Sequence, residues 1–329
     1  MKTGRNVAGA LGLLLLAVIL GVMHGPTPIT PATVVADVFH PNASIASIII
    51  WQIRMPRVVA AALVGGSLAV AGAVMQALLQ NPLADPYIVG ASSGAGLGAI
   101  LAEEWLPRVG AIAPGAFLGA LGAVMLSYLI SRGRRFNAML TLILAGYAVG
   151  VILTSVSTFL MLLNREELTS IFAWEVGGIH GMTWGQVKWA ALLMVLALLL
   201  IWPWADEMNA LLLGEEEAHH LGVPVRRVRF LLLLAASLLT ASAVYLSGLI
   251  GFVGLVVPHI IRRLQGPNHR TLIPLSFLVG AAFLTLADVV AETMPVVGSI
   301  PVGLVTAFLG GPYFLYLLVQ QNRGRAVWG

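Results

Sequence analysis

From Val58 to Asn81 the chain carries no charged residue, long enough for a membrane-crossing helix of about 20 residues. Just before it, Arg54-Met55-Pro56-Arg57 sets two arginines around a proline, and Pro56 suits a first helical turn, where a missing N–H is not missed. Arg54 and Arg57 are three apart and so share one face of that helix. The stretch ends at Asn81-Pro82-Leu83-Ala84-Asp85-Pro86, where Asp85-Pro86 reads as the N-cap and first position of a second helix. That second helix spaces Gly90, Gly94, Gly98 and Ala102 four apart, and the first does the same with Gly65, Ala69, Ala73 and Ala77. Both are small-residue faces suited to close helix contact in lipid. The pattern predicts two helices packed on each other across a proline-broken turn.

Further apolar runs between charges and breakers predict helices near 7–24, 57–79, 87–102, 110–131, 137–163, 186–205, 229–247, 253–264, 271–291 and 300–320. Arg226–Arg229 and Arg262–Arg263 are basic clusters that belong on one side of the membrane, yet barely more than thirty residues separate them. Two full helices do not fit there at about 1.5 Å per residue. The return leg, with Gly248, Gly251, Gly254 and Pro258, is therefore expected to be partly extended, then a short helix, buried inside the bundle over 248–264. Segment 164–188 is too polar and glycine-rich for a span and reads as an outer loop with a short helix, anchored by Trp174 and Trp184.

Composition turns these helices into a class. Of 329 residues, 59% are hydrophobic and 10% charged, against about 25% charged in a soluble domain, so the chain is an all-α, polytopic membrane protein. About ten spans fit as one domain over residues 1–329. Lys2 and Arg5 before Val7–Met23 resemble a signal peptide, but no small-residue cleavage site follows, and the segment is kept as the first helix. With both termini in the cytoplasm, thirteen of the 18 basic residues fall inside and five outside, namely Arg54, Arg57, Arg108, Arg165 and Lys188. The net charge of +4 is thus loop asymmetry rather than a nucleic-acid surface. Cysteine is absent, which excludes disulfides and thiolate metal sites.

The runs RMPR, GAVMQALLQNPLADP, GASSGAGLGA, GLIGFVGLVVPHIIRRLQGPNHR and IPVGLVTAFLGGPYFLYLL together resemble the permease subunit of ATP-driven importers for iron-siderophores, haem and cobalamin, the FecCD/BtuC-like type II ABC importer family. That resemblance implies a ten-helix permease that homodimerises in the inner (cytoplasmic) membrane, with two ATPase subunits and one periplasmic or lipid-anchored substrate-binding protein. It implies transport by alternating access between the two copies. It names no single cargo, and oxyanion permeases look similar.

Several residues carry this reading. In the cytoplasmic stretch 205–229, Glu215, Glu216 and Glu217 lead a short helix, Gly222 ends it and Pro224 stops its continuation. Glu216, Glu217, Ala218 and Gly222 match the coupling helix that docks into the ATPase; the plain alternative is an amphipathic loop on the membrane. Arg54 and Arg57 break the charge asymmetry. The resemblance makes them docking residues for the binding protein, and the alternative is snorkelling to headgroups. Glu292 stands where relatives often carry another arginine. Asn81 and Leu83 match a cytoplasmic gate, with turn capping as the equal alternative. His180 and Met182 could ligate haem iron or be ordinary loop residues, and Glu175 and Asp288 could line the path or be hydrated helix ends.

No lysine stands in a Gly-Lys-Ser/Thr context, so the chain is not its own P-loop ATPase and no enzyme activity is expected. Gly90-Ala91-Ser92-Ser93-Gly94, Gly94–Gly98 and Asn42-Ala43-Ser44 mimic a nucleophile elbow, a dinucleotide loop and a glycosylation sequon without their contexts. The leading alternative, an ion-coupled secondary transporter, needs an ionisable site at mid-membrane, and the uncharged centres of helices two, three, four, five and ten argue against it. An intramembrane enzyme lacks any clustered His/carboxylate set.

Overall fold

The computed structural model describes residues 2–25, 27–106, 111–132, 138–163, 174–294 and 300–325. Its central element is α4, Met55–Leu78, which enters from a short helix, α3, Ile45–Ile48, through a π-helical turn at Ile49–Arg54. Of the most apolar window of the Ile45–Leu78 span, 83% is buried, against 22% for α1, Lys2–Met23, for α7, Ala138–Leu163, and for α14, Val302–Arg325. A helix walled in by other helices needs small side chains, and α4 supplies glycine and alanine on every face.

Between α1 and α3 lies α2, Pro31–Phe39; then follow α5, Ala91–Trp105, α6, Ile112–Ser131, and after α7 come α8, Trp184–Ile201, α9, Ala205–Leu211, and α10, Glu215–His220. The last part is α11, Val225–Ser247, α12, Val253–Gln265, α13, His269–Thr293, and α14. Among the described residues, eight segments are long and apolar enough to cross a membrane. The short α5 and α12 complete the ten spans expected, each entered after a helix break. The former signal-peptide candidate is α1, packed along α13 with Ala17 fully buried.

The two small-residue faces do not meet each other. On α4, Gly65 lies against the Gly280 carbonyl of α13, so closely that a Cβ there would collide with it. On α5, Gly94 and Gly98 press on Gly119 and Gly115 of α6 in the same way. A small-residue stripe demands close approach but does not name the partner.

The second correction is at the first break. The helix after the NPLADP turn starts at Ala91, not at Pro86: Asp85 accepts the Tyr87 N–H in a local turn (2.8 Å), and Gly90, at φ +90°, begins the helix. Residues 85–90 instead dive into the bundle, where Pro86 packs against Gly254 and Val89 against Gly146. The expectation for 248–264 holds as far as Arg262, while Arg263 and Leu264 stand exposed. Gly248 and Phe252 both adopt positive φ, the chain between them is non-helical, and Val253–His259 of α12 are buried. Gln76 of α4 ties the breaks together, donating towards the Leu255 carbonyl (3.3 Å) and accepting from Arg262 (2.8 Å). Non-helical backbone at membrane depth is tolerable where protein surrounds it.

The helices α2 and α3 were not legible as spans. Their start signals are nevertheless in the chain: Thr30, whose side chain caps the Thr33 N–H ahead of Pro31, and Ser44, which caps the Ser47 N–H. Of the segment 164–188, residues 164–173 lie outside the described residues. The remainder packs into the second break, with Gly178 N–H on the Ser247 carbonyl (2.8 Å) and Gly303 N–H on the Gly177 carbonyl (3.1 Å).

Candidate functional site: two end faces and a broken-helix core

At one end of the bundle, Pro56 opens α4 and places Arg54 and Arg57 on the same side. Neither is a free charge. Arg54 is 5% exposed and donates to the carbonyls of Val22 (2.8 Å), Met23 (3.0 Å) and Thr27. Its guanidinium thereby covers the C-terminal carbonyls of α1, where a positive charge complements the helix dipole. Arg57 grips Asp288 with two parallel hydrogen bonds, 2.8 and 3.0 Å, and also donates to Glu292. Asp288 and Glu292 are one turn apart on α13, and the three side chains are 16%, 7% and 10% exposed. A bidentate guanidinium–carboxylate pair is among the stronger hydrogen-bonded contacts a protein makes. Glu292 is here an internal partner of Arg57.

His180, in the loop leading to α8, lies near this group. Burial, with the Arg57 charge as the next cause, holds its imidazole below the ordinary value, while Asp288 acts the other way. Met182 and Trp184 follow it, and Trp184 donates to the Trp51 carbonyl (2.7 Å), fastening the start of α8 to the π-helical turn. Among the described residues no group of three or more His, Cys, Asp or Glu stands close enough to hold a metal ion.

At the opposite end, α9 and α10 build a rigid shelf. Ala218 is fully buried, while Glu216 and Glu217 stand exposed. After α10, the Gly222 N–H bonds the His219 carbonyl (2.9 Å) and the Val223 N–H bonds the Ala218 carbonyl (3.0 Å), with Gly222 at φ +84°. This is a Schellman cap. It needs a residue that accepts the left-handed conformation four positions after the small buried alanine, which gives the Glu-Ala-x3-Gly spacing a local physical reason. Glu215 pairs with Arg229 of α11. Asn209 accepts the His269 N–H (2.8 Å), and Asp206 pairs with Arg270 through Nε at 2.7 Å, so the shelf is pinned to the start of α13.

The shelf also touches the first break. Gln80, at φ +47°, donates to the Leu211 carbonyl at the end of α9 (2.6 Å). Its neighbour Asn81 accepts the Leu83 N–H (2.9 Å), so the Asn81 side chain caps its own turn; it is exposed, and Leu83 is half-buried. Gln80 carried no signal in the sequence beyond its place beside Asn81. Its importance comes from a partner 131 residues away.

The model of the FecCD transport family matches residues 13–320. The chain is 46% identical over 279 residues to the cobalamin import system permease protein BtuC of Halobacterium salinarum, covering 84% of this chain and 75% of that one. It is 40% identical over 316 residues to the vitamin B12 import system permease protein BtuC of Escherichia coli O139:H28, covering 94% of both. A solved structure, described as an inward-facing conformation of a metal-chelate type ABC transporter, superposes with a TM-score of 0.86 at 30% identity, covering 96% of this chain and 99% of that one. Both relatives are permease proteins of import systems. The chain belongs to the FecCD transport family, as a membrane permease of the ABC importer type.

Proposed function

We propose that this permease imports a cobalamin, and that two copies, two ATPase subunits and one external binding protein form the working complex. The cargo reading rests on the 40–46% identity with two cobalamin permeases over most of the chain. The arginine-rich end, with Arg226, Arg227, Arg262, Arg263 and Arg270, faces the cytoplasm in this reading, and both termini lie there.

The single geometric observation behind the mechanism is the hydrogen bond from Gln80 to the Leu211 carbonyl. Glu216, Glu217, Ala218 and Gly222 form the knob that the ATPase would grip, and α9 joins it to Gln80 and so to Asn81 and Leu83. ATP-driven displacement of the knob then pulls on the turn proposed as the gate, where two copies meet. Alternating access follows if the pull favours one of two packings of the broken-helix core. At the other face the binding protein docks over Arg54 and Arg57. Arg54 shapes that face through the α1 carbonyls, and a docking carboxylate competes with Glu292 for Arg57.

Purification from native membranes identifies the ATPase and binding protein, and the complex is then reconstituted in vesicles. ATP-dependent uptake of cobalamin, with little uptake of haem or a ferric siderophore, is the expected result. Uptake of the siderophore or haem alone would replace the cargo, and uptake that needs no ATPase would point to an ion-coupled carrier.

A further inference from the structure

A cleft of about 130 Å³ opens on the side of the bundle between α5, α7 and the chain at Trp174–Glu175 and Leu249. Its polar lining comes from Ser92, Ser93, Thr154, Ser157 and Glu175. Thr154 donates to Ser93 across the two helices (3.1 Å), and Ser157 donates to the Leu153 carbonyl (2.9 Å). Ser93 therefore keeps its own O–H to give, and its hydroxyl oxygen and the Glu175 carboxylate can accept. Thr154 and Glu175 are exposed, so the cleft is open rather than sealed.

Two physical arguments say that this opening faces neither lipid nor a packing defect. The Thr154 and Ser157 hydroxyls are satisfied within the protein, but a carboxylate such as Glu175 turned to hydrocarbon is costly and belongs beside water. The glycines of α5 also divide by role. Gly94 and Gly98 are demanded by contact with α6, but Gly96, which lines the cleft, would meet nothing within 4 Å if it carried a Cβ. Alanine is the better helix former, so packing within the chain does not explain the glycine at 96. Its effect is to widen the cleft.

We infer that this cleft hydrogen-bonds the peripheral carboxamide groups of the cargo as it passes between the two copies. A carboxamide has the N–H donors that Glu175 and the hydroxyl oxygens accept, and the carbonyl that Ser93 can donate to. The volume, roughly that of four waters in the liquid, admits one such arm and excludes the whole macrocycle. The inference rests on the cobalamin reading, because the corrin rim is rich in carboxamides and a ferric or haem cargo would offer different groups.

The chain contains no cysteine, so Ser93→Cys and Thr154→Cys each create one unique label site. Each variant is assembled with its ATPase and binding protein in vesicles and treated with a membrane-impermeant maleimide. Labelling that slows during cobalamin turnover, and does not slow with the empty binding protein, is expected. Equal labelling in both conditions, or none at all, overturns the inference. Ser93→Ala is expected to lower uptake about fivefold, the worth of one lost hydrogen bond. Gly96→Leu, a plug that meets no neighbour at its Cβ, is expected to lower it further while still co-purifying with the ATPase. Wild-type rates in both variants overturn the inference alone. No cobalamin uptake by the wild-type complex overturns the cargo reading, and this one with it.

Discussion

At the Arg57 end the bundle folds its charges inward. Arg54 spends its donors on the end of α1, Arg57 is held by Asp288 and Glu292, and little of the three ion-paired side chains reaches the surface. At the Glu217 end the charges point out: Glu216 and Glu217 are exposed above a buried Ala218, and the backbone beneath them is fixed by the Gly222 cap. The same residue types thus do different physical work. A mostly buried ion pair costs desolvation that only the intact pair offsets, so it behaves as a fastening between α4 and α13. An exposed carboxylate costs almost nothing to keep and is available to a partner, so it behaves as a contact.

The largest expected effect tests the fastening. Asp288→Ala leaves Arg57 without its bidentate partner and is expected to cost about 3–5 kcal/mol, read as a lowered unfolding temperature of the purified permease in detergent. The loss must appear with no binding protein present. A variant as stable as the parent would show that the Arg57–Asp288 pair fastens nothing and serves docking alone, which would erase the contrast between the ends.

A middling effect is expected at the shelf. Gly222→Ala places a Cβ at φ +84° and is expected to cost about 1–2 kcal/mol locally. Faster hydrogen exchange at Val223, whose amide closes the cap, is the measurement. Gln80→Ala removes the hydrogen bond to Leu211, worth about 1 kcal/mol. ATP hydrolysis that continues while uptake falls is the expected signature of a severed link, and unchanged uptake would remove Gln80 from the mechanism.

Smaller still in stability is Glu216→Lys, expected to stay within about 0.5 kcal/mol of the parent while recovery of the ATPase in co-purification drops. The smallest is pH-dependent. His180 is held below its ordinary value by burial and by Arg57, so the folded state binds protons less readily than the unfolded chain. Stability is then fully present above the ordinary imidazole value and declines as pH falls below it, and His180→Gln flattens that decline.

Much of this architecture is legible in the sequence alone. The long spans announce themselves as uncharged stretches, and the two short ones by the Asn81–Pro86 turn and the Gly248–Gly254 run. The capped helix α10 is local chemistry, Ala218 to Gly222, and was legible for that reason. What the chain does not announce involves distance. The stripes on α4 and α5 suggest that the two helices pack on each other, and nothing near Arg54 and Arg57 in the chain names the carbonyls and carboxylates that hold them.

Sequence by itself determined a polytopic helical membrane bundle, its breaks and its capped shelf, because hydropathy, glycine, proline and capping act within a turn or two of the residue concerned. Tertiary structure alone decided who touches whom. Gly65 finds Gly280, Gly98 finds Gly115, Gln80 finds Leu211, and Arg57 finds Asp288 at a separation of 231 residues. Close approach and charge pairing depend on which helix faces arrive side by side, and that is settled by the packing of the whole bundle.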